Sequence, residues 1–216
     1  MNHNERAAIH VREWREFADV LRRRRLGIAF IAAGAMLLIF ACSKYALGAV
    51  KADQARAEWD AMQAAAAMGH ARAFASSRGT SEKPVAGAPV ARIVIPKIEL
   101  DAIVLEGVSD DELNAGPGHF PGSALPGESG NAVISAHRDR HFSHFDQLVI
   151  GDTVMTEAAG RQTRWVIATR RVIDKDAPAL FNASTPTLTL TTCWPIRYFG
   201  SAPDRLILTA KPVPTV

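Results

Sequence analysis

The chain has 216 residues, 48% apolar and 22% charged, which is room for one ordinary domain with appendages and too apolar a composition for a disordered chain. Its net charge of +3 is unevenly placed: residues 1–25 hold seven arginines against four acids, while residues 51–216 hold seventeen basic and eighteen acidic residues. A nucleic-acid binder needs positive charge on its folded part, so nucleic acid is excluded as a partner.

Residues 1–25 read as a cytoplasmic basic segment closed by Arg22-Arg-Arg-Arg25. Leu26 to Ser43 then carries no charge, and the run continues through Lys44-Tyr45 to Val50. A bilayer-spanning helix needs about 20 mostly apolar residues. Residues 26–50 are therefore expected to be a transmembrane anchor, with Lys44 reaching to the interface. The arginines before it keep the N-terminus cytoplasmic and place the remainder outside, in a periplasm or at the cell surface. Ala46-Leu-Gly48 offers a signal-peptidase-like sequence, but the apolar run exceeds a signal core, and the anchor is expected to stay uncleaved.

Residues 51–89 read as a helical stalk and linker. The stretch 51–78 is rich in Ala, Gln, Arg and Met, which favours a helix, and Gly79 to Pro89 has linker composition. A folded domain spans 90–216. Its expected strands are Ala91–Ile95, Ala102–Glu106, Ala132–Ala136, Thr153–Glu157, Arg164–Ile173, Thr187–Thr192 and Leu206–Ala210, short, β-branched and set apart by Gly, Pro, Asn or Asp. The leucines of Thr187-Leu-Thr-Leu-Thr191 share one face. Short helical turns are expected at Asp110–Ala115, with Ser109 at its N-terminus, and at Ala179–Asn182. Many short strands with few helices imply a mainly β fold, a closed or nearly closed barrel.

The chemistry concentrates near the C-terminus. Cys193 is the domain's single cysteine, so no disulfide within the domain can engage it. A thiol becomes a useful nucleophile at neutral pH beside a base, and His137, following a strand, is the best candidate. Arg205 opens the next strand after Cys193 and is a donor suited to negative charge developing on a carbonyl oxygen. If the two strands pair antiparallel, Arg205 returns to the end where Cys193 emerges. His137, His141 and His144 are candidate zinc ligands by spacing. The spacing suits a helix, but His137 follows a strand and Arg138 and Arg140 repel a cation, so no metal is expected.

The segments Ile93-Val-Ile-Pro-Lys-Ile98, Gly116-Pro-Gly-His119, Gly130-Asn-Ala-Val-Ile-Ser-Ala-His-Arg-Asp139, Leu148-Val-Ile-Gly-Asp152, Thr187-Leu-Thr-Leu-Thr-Thr-Cys193 and Gly200-Ser-Ala-Pro-Asp-Arg205 resemble, in order, the sortase family, most of all its class D-like and Gram-negative-type members. The resemblance runs from about Ile93 to Lys211. It implies a sortase-like barrel of about eight strands, of which seven are visible; the eighth is expected between Gly107 and Phe120 or as a split of Arg164–Ile173. It implies a cysteine transpeptidase in which Cys193 is the nucleophile, His137 the general acid/base and Arg205 the oxyanion or substrate-positioning group, with Thr192 as a substrate-binding residue near the scissile bond. The implied partners are a protein bearing an LPxTG-like sorting signal and an amine from the cell wall or another protein; no cofactor is implied. Ser135-Ala-His137 departs from the family's more usual glycine-containing approach to the histidine. An L,D-transpeptidase is the nearest enzyme rival, but its Ser-His-Gly-Cys arrangement is absent and His137 and Cys193 lie 56 positions apart. The rival from another class is a non-catalytic membrane-tethered β-domain that binds envelope proteins, which predicts an unreactive Cys193.

Overall fold

The computed structural model describes residues 3–67, 84–177 and 183–213, with side chains from Arg22 onward. The chain divides into two compact units, Met1–Ala46 and Leu47–Val216. Helix α1 runs from His3 to Ala65, and its stretch Arg22–Ala65 is long and apolar enough to cross a membrane, with a mean hydropathy of 2.3 in its most apolar window. The expected helical turn at Ala179–Asn182 and residues 68–83 of the expected stalk and linker lie outside the described residues.

The second unit is built on eight strands: β1 (Pro89–Ile95), β2 (Leu100–Glu106), β3 (Gly118–His119), β4 (Asn131–Ser135), β5 (Thr153–Ala158), β6 (Arg161–Asp174), β7 (Thr187–Trp194) and β8 (Asp204–Pro212), with the short helix α2 (Asp110–Ala115) between β2 and β3. They close into a barrel in the order β1-β2-β3-β4-β7-β8-β6-β5. All seven strands expected from the sequence are present, and β3 falls in the Gly107–Phe120 interval where the eighth was expected. Two residues carry no period to read, so β3 is visible only through its partners: parallel to β2 and antiparallel to β4.

Side chains alternate between the two faces of a strand. Leu188 and Leu190 of β7, Ala132 and Ile134 of β4, and Leu206, Leu208 and Ala210 of β8 are essentially without solvent exposure and form the barrel interior with Ile93, Trp165 and Ile167. The registers agree, pairing Ala132 with Leu188, Ile134 with Leu190, and Leu190 with Leu208. A second, smaller core joins Ala55 and Trp59 of α1 to Ile103 and Leu105 of β2 and Ala115 of α2. Helix α2 starts at Ser109 as expected, in a capping box in which the Ser109 backbone N–H and hydroxyl both donate to the Glu112 carboxylate.

Candidate active site

The same alternation that fills the barrel decides where the reactive groups point. Cys193 is one residue out of phase with Leu190 and Thr192, so it shares the outer face of β7 with Thr189 and Thr191. Arg205 is out of phase with inward Leu206 and lies directly opposite Cys193 in the β7–β8 pair, hence on that outer face as well. Strand β4 runs parallel to β7 with Ser135 opposite Thr191. His137 and Cys193 each stand two residues past that pair, and His137 is in phase with outward Ser135. All three candidates therefore gather on one rim of one outer wall. Cys193 is free and exposed, Arg205 is exposed and His137 half-buried. Among the described residues Arg205 takes no carboxylate partner, so the surface ion pair that would give it a merely structural role is not formed there.

The backbone around the rim is tied closely. The Ala136 N–H donates to the Thr191 carbonyl at 3.2 Å, and the Thr192 hydroxyl donates to the Ala136 carbonyl at 2.7 Å. The alanine that departs from the family's more usual glycine is buried among the core residues. Thr192 has the inward phase, is buried, and has its hydroxyl engaged; it braces the strand ends that carry Cys193 and His137.

Arg138, noted from the sequence only as a charge unfavourable to a metal, has a structural role at the rim. Its guanidinium donates to the carbonyls of Pro195 at 3.0 Å and Gly200 at 2.6 Å, and it lies 5.7 Å from the centroid of the Tyr198 ring. It thus holds the loop between β7 and β8 from the residue next to His137. A charge beside a histidine has no readable destination until the strands are paired. His141, further along the same loop, is half-buried, and its Nδ1 is out of solvent and lacks a hydrogen-bond partner among the described residues. Burial first, then the nearby positive charge of Arg140 and His137, pushes its pKa below the ordinary 6.5.

A cleft of about 930 Å3, lined by Phe120, Ser123, Asn131, Val133 and Ser184 among others, does not include Cys193, His137 or Arg205. Concavity alone would place a site there. Yet Asn131 and Val133 are outward residues of β4, so the cleft opens on the same wall as the rim. From Val133 to His137 is four strand residues, about 13 Å. The cleft and the thiol are two ends of one face.

A second cluster imitates a catalytic triad. Ser123 Oγ lies 2.9 Å from His119 Nε2, and His119 Nδ1 lies 2.6 Å from Glu106 Oε2. Proton accounting removes it. His119 Nε2 also faces the Ala124 carbonyl at 3.0 Å, which can only accept, so Nε2 carries the hydrogen. Ser123 in turn donates to the Phe120 carbonyl and accepts from the Val133 N–H. No lone pair is left at Nε2 to take the serine proton. Glu106 and His119 are register partners on β2 and β3 and are 5% and 2% exposed; the pair is a buried fastener of the shortest strand.

A family model described as a sortase domain matches residues 93–213, more than half of the chain. The chain belongs to the sortase family. It is 34% identical over 135 residues to sortase D of Bacillus subtilis, covering 62% of this chain and 68% of that protein. Among solved structures it is similar to a Clostridium perfringens sortase D5 transpeptidase, with a TM-score of 0.56, 27% identity, and coverage of 66% of this chain and 95% of the other. The catalytic domain of B. anthracis SrtD matches with a TM-score of 0.53 and 32% identity over 63% of this chain and 95% of that one. This is a class D-like sortase, and the closed eight-stranded barrel is the family fold. Family membership carries cysteine transpeptidase chemistry in general terms.

Proposed function

We propose that this sortase cleaves an LPxTG-like sorting signal with Cys193 and transfers the acyl group to an amine. The observation that carries the reading is the register: Cys193 faces Arg205 across β7–β8, with His137 level with them at the end of β4. In the proposed cycle the Cys193 thiolate attacks the carbonyl carbon of the Thr–Gly or Thr–Ala bond. The Arg205 guanidinium stabilises the oxyanion that develops. Collapse breaks the C–N bond, and His137 as imidazolium gives its proton to the departing amine. The thioacyl-enzyme is then attacked by an incoming amine, whose proton returns to His137 as the Cys193 sulfur leaves. Thr192 contributes near the scissile bond through the backbone it braces. The distance of about 13 Å between the cleft and His137 is the length of four extended residues, which matches the residues of an LPxT segment lying on the N-terminal side of the broken bond. Residues 26–50 are proposed to span the membrane with the N-terminus cytoplasmic and the barrel outside.

The test incubates the full-length chain in detergent with a panel of LPxTG-like peptides and weighs the protein. A mass gain on Cys193 equal to the peptide's N-terminal fragment, absent in Cys193→Ala, is expected. No adduct, together with a thiol that resists iodoacetamide in the folded chain, would leave a membrane-tethered binding domain instead.

A further inference from the structure

The C-terminal part of α1 does not stand clear of the barrel. Its buried positions are Gly48, Ala55 and Trp59, with Lys51, Ala52, Arg56, Met62 and Gln63 half-buried between and beyond them, while Ala57 and Ala61 are exposed. That spacing is one face of a helix. The face is pinned along its length: Arg56 donates to the Asp101 carbonyl and to its Oδ1, each at 3.0 Å, Gln63 donates to Glu157 at 2.8 Å, and Lys51 stands 4.0 Å from Asp111.

Gly48 marks the tightest point. A Cβ built there would lie 2.5 Å from the Asn114 carbonyl oxygen and 3.1 Å from Arg140 Nη1. Only glycine lets the α1 backbone approach that carbonyl. The same oxygen accepts from Arg140 Nη1 at 3.1 Å, and the Arg140 N–H closes a turn on the His137 carbonyl at 3.3 Å. From the other end of α2, Asp110 Oδ1 lies 3.9 Å from His137 Nε2. Helix α2 is thus held between α1 on one side and the His137–Phe142 loop on the other, touching that loop at both of its ends.

We propose that residues 47–63 of α1 are a positioning element of the active site, acting through α2 on the loop that carries His137. The proposal rests on the reading of His137 as the acid/base. The charged and titratable groups around His137 are Asp110 and Asp111 on α2, Arg138, Asp139, Arg140 and His141 on its own loop, and Cys193 and Arg205 at the ends of β7 and β8. Releasing α1 frees α2 to shift, and the imidazole loses the fixed loop that sets its distance to Cys193.

The test uses the full-length chain in detergent micelles with two variants that attack the seam at separate points, Gly48→Leu and Ala55→Arg, and Ala57→Leu as a control on the exposed face. Two readouts are taken: hydrogen exchange by mass spectrometry over residues 137–145, and the rate of Cys193 alkylation by iodoacetamide. Both seam variants are expected to speed exchange in 137–145 about tenfold and to slow alkylation about tenfold toward the His137→Ala value, with Ala57→Leu unchanged. Exchange over 137–145 that stays at the parental rate in both seam variants overturns the proposal. So does a loosened loop with parental alkylation, provided His137→Ala itself slows the reaction. If His137→Ala leaves alkylation at the parental rate, the catalytic reading of His137 fails, and the proposal resting on it fails too.

Discussion

Two places in this barrel assemble a nucleophile-bearing residue, a histidine and a charged partner, and they differ in what has been spent. At the rim, Cys193 and Arg205 are exposed and among the described residues share no hydrogen bond that consumes them. Beneath β3, Ser123, His119 and Glu106 are buried or half-buried, and every donor and acceptor between them is committed. Distance criteria alone favour the second cluster, whose contacts are 2.6 to 3.0 Å. Proton accounting reverses the choice, because a base needs an unoccupied lone pair and a nucleophile needs room for an electrophile. The buried cluster shapes the fold, and the exposed one is the one proposed to supply chemistry.

The sharpest way to break that contrast is to remove each nucleophile. Cys193→Ala is expected to abolish peptide cleavage, whereas Ser123→Ala is expected to leave the turnover of folded protein within about twofold while costing about 1–3 kcal/mol of stability through the unpaired Val133 N–H. Cleavage kinetics beside denaturant melts separate the two. Arg205→Ala comes next: loss of an oxyanion donor is expected to cut kcat by about 10²–10³, measured on a peptide that the parental chain turns over. The buried pair calls for the opposite signature. Glu106→Leu strands His119 and is expected to cost about 3–5 kcal/mol, with much of it recovered in Glu106→Leu/His119→Leu, since removing both partners of a buried pair is far cheaper than removing one. An unchanged melt would mean that the pair fastens nothing.

Smaller effects follow from titration. The lowered pKa of His141 means that the folded state resists a proton that the unfolded chain accepts. Its contribution is fully present above pH 6.5 and is lost as pH falls below 6.5 through the lowered folded value. Urea melts between pH 7.5 and 5 are expected to show a loss that His141→Gln flattens. At the α1 seam, Asp101 is held down to about 2 by its hydrogen bonds from Arg92 first and Arg56 second, against an ordinary 3.8. Its support is present above 3.8 and disappears as pH falls from there through about 2. Because the side chain is substantially exposed, solvent screens this contribution and it is expected to be the smallest of the set. Arg56→Gln should remove part of it, read by exchange in residues 47–63.

Much of the rim was legible in the residues alone, since alternation in Thr187-Leu-Thr-Leu-Thr-Thr-Cys193 separates the two faces of β7 and the spacing to Arg205 suits an antiparallel return. The level of His137 was not, because parallel pairing of β4 with β7 is a long-range choice that no local pattern records. Glu106 and His119 are 13 positions apart and meet only because a two-residue strand pairs parallel to β2. The tail of α1 reads as helix from its alanines, but a helix rich in alanine on every side gives no contrast to show which face docks. Gly48 reads as part of an apolar run until the Asn114 carbonyl is seen against it.

The most direct measurement is product analysis with the full-length chain, an LPxTG-like peptide that loads Cys193, and an added primary amine. The account predicts a new amide joining the peptide's threonine carboxyl to the amine, turnover that rises with amine concentration, and no product from Cys193→Ala. Cleavage that survives in Cys193→Ala, or a parental chain that yields only the free acid however much amine is present, would contradict it.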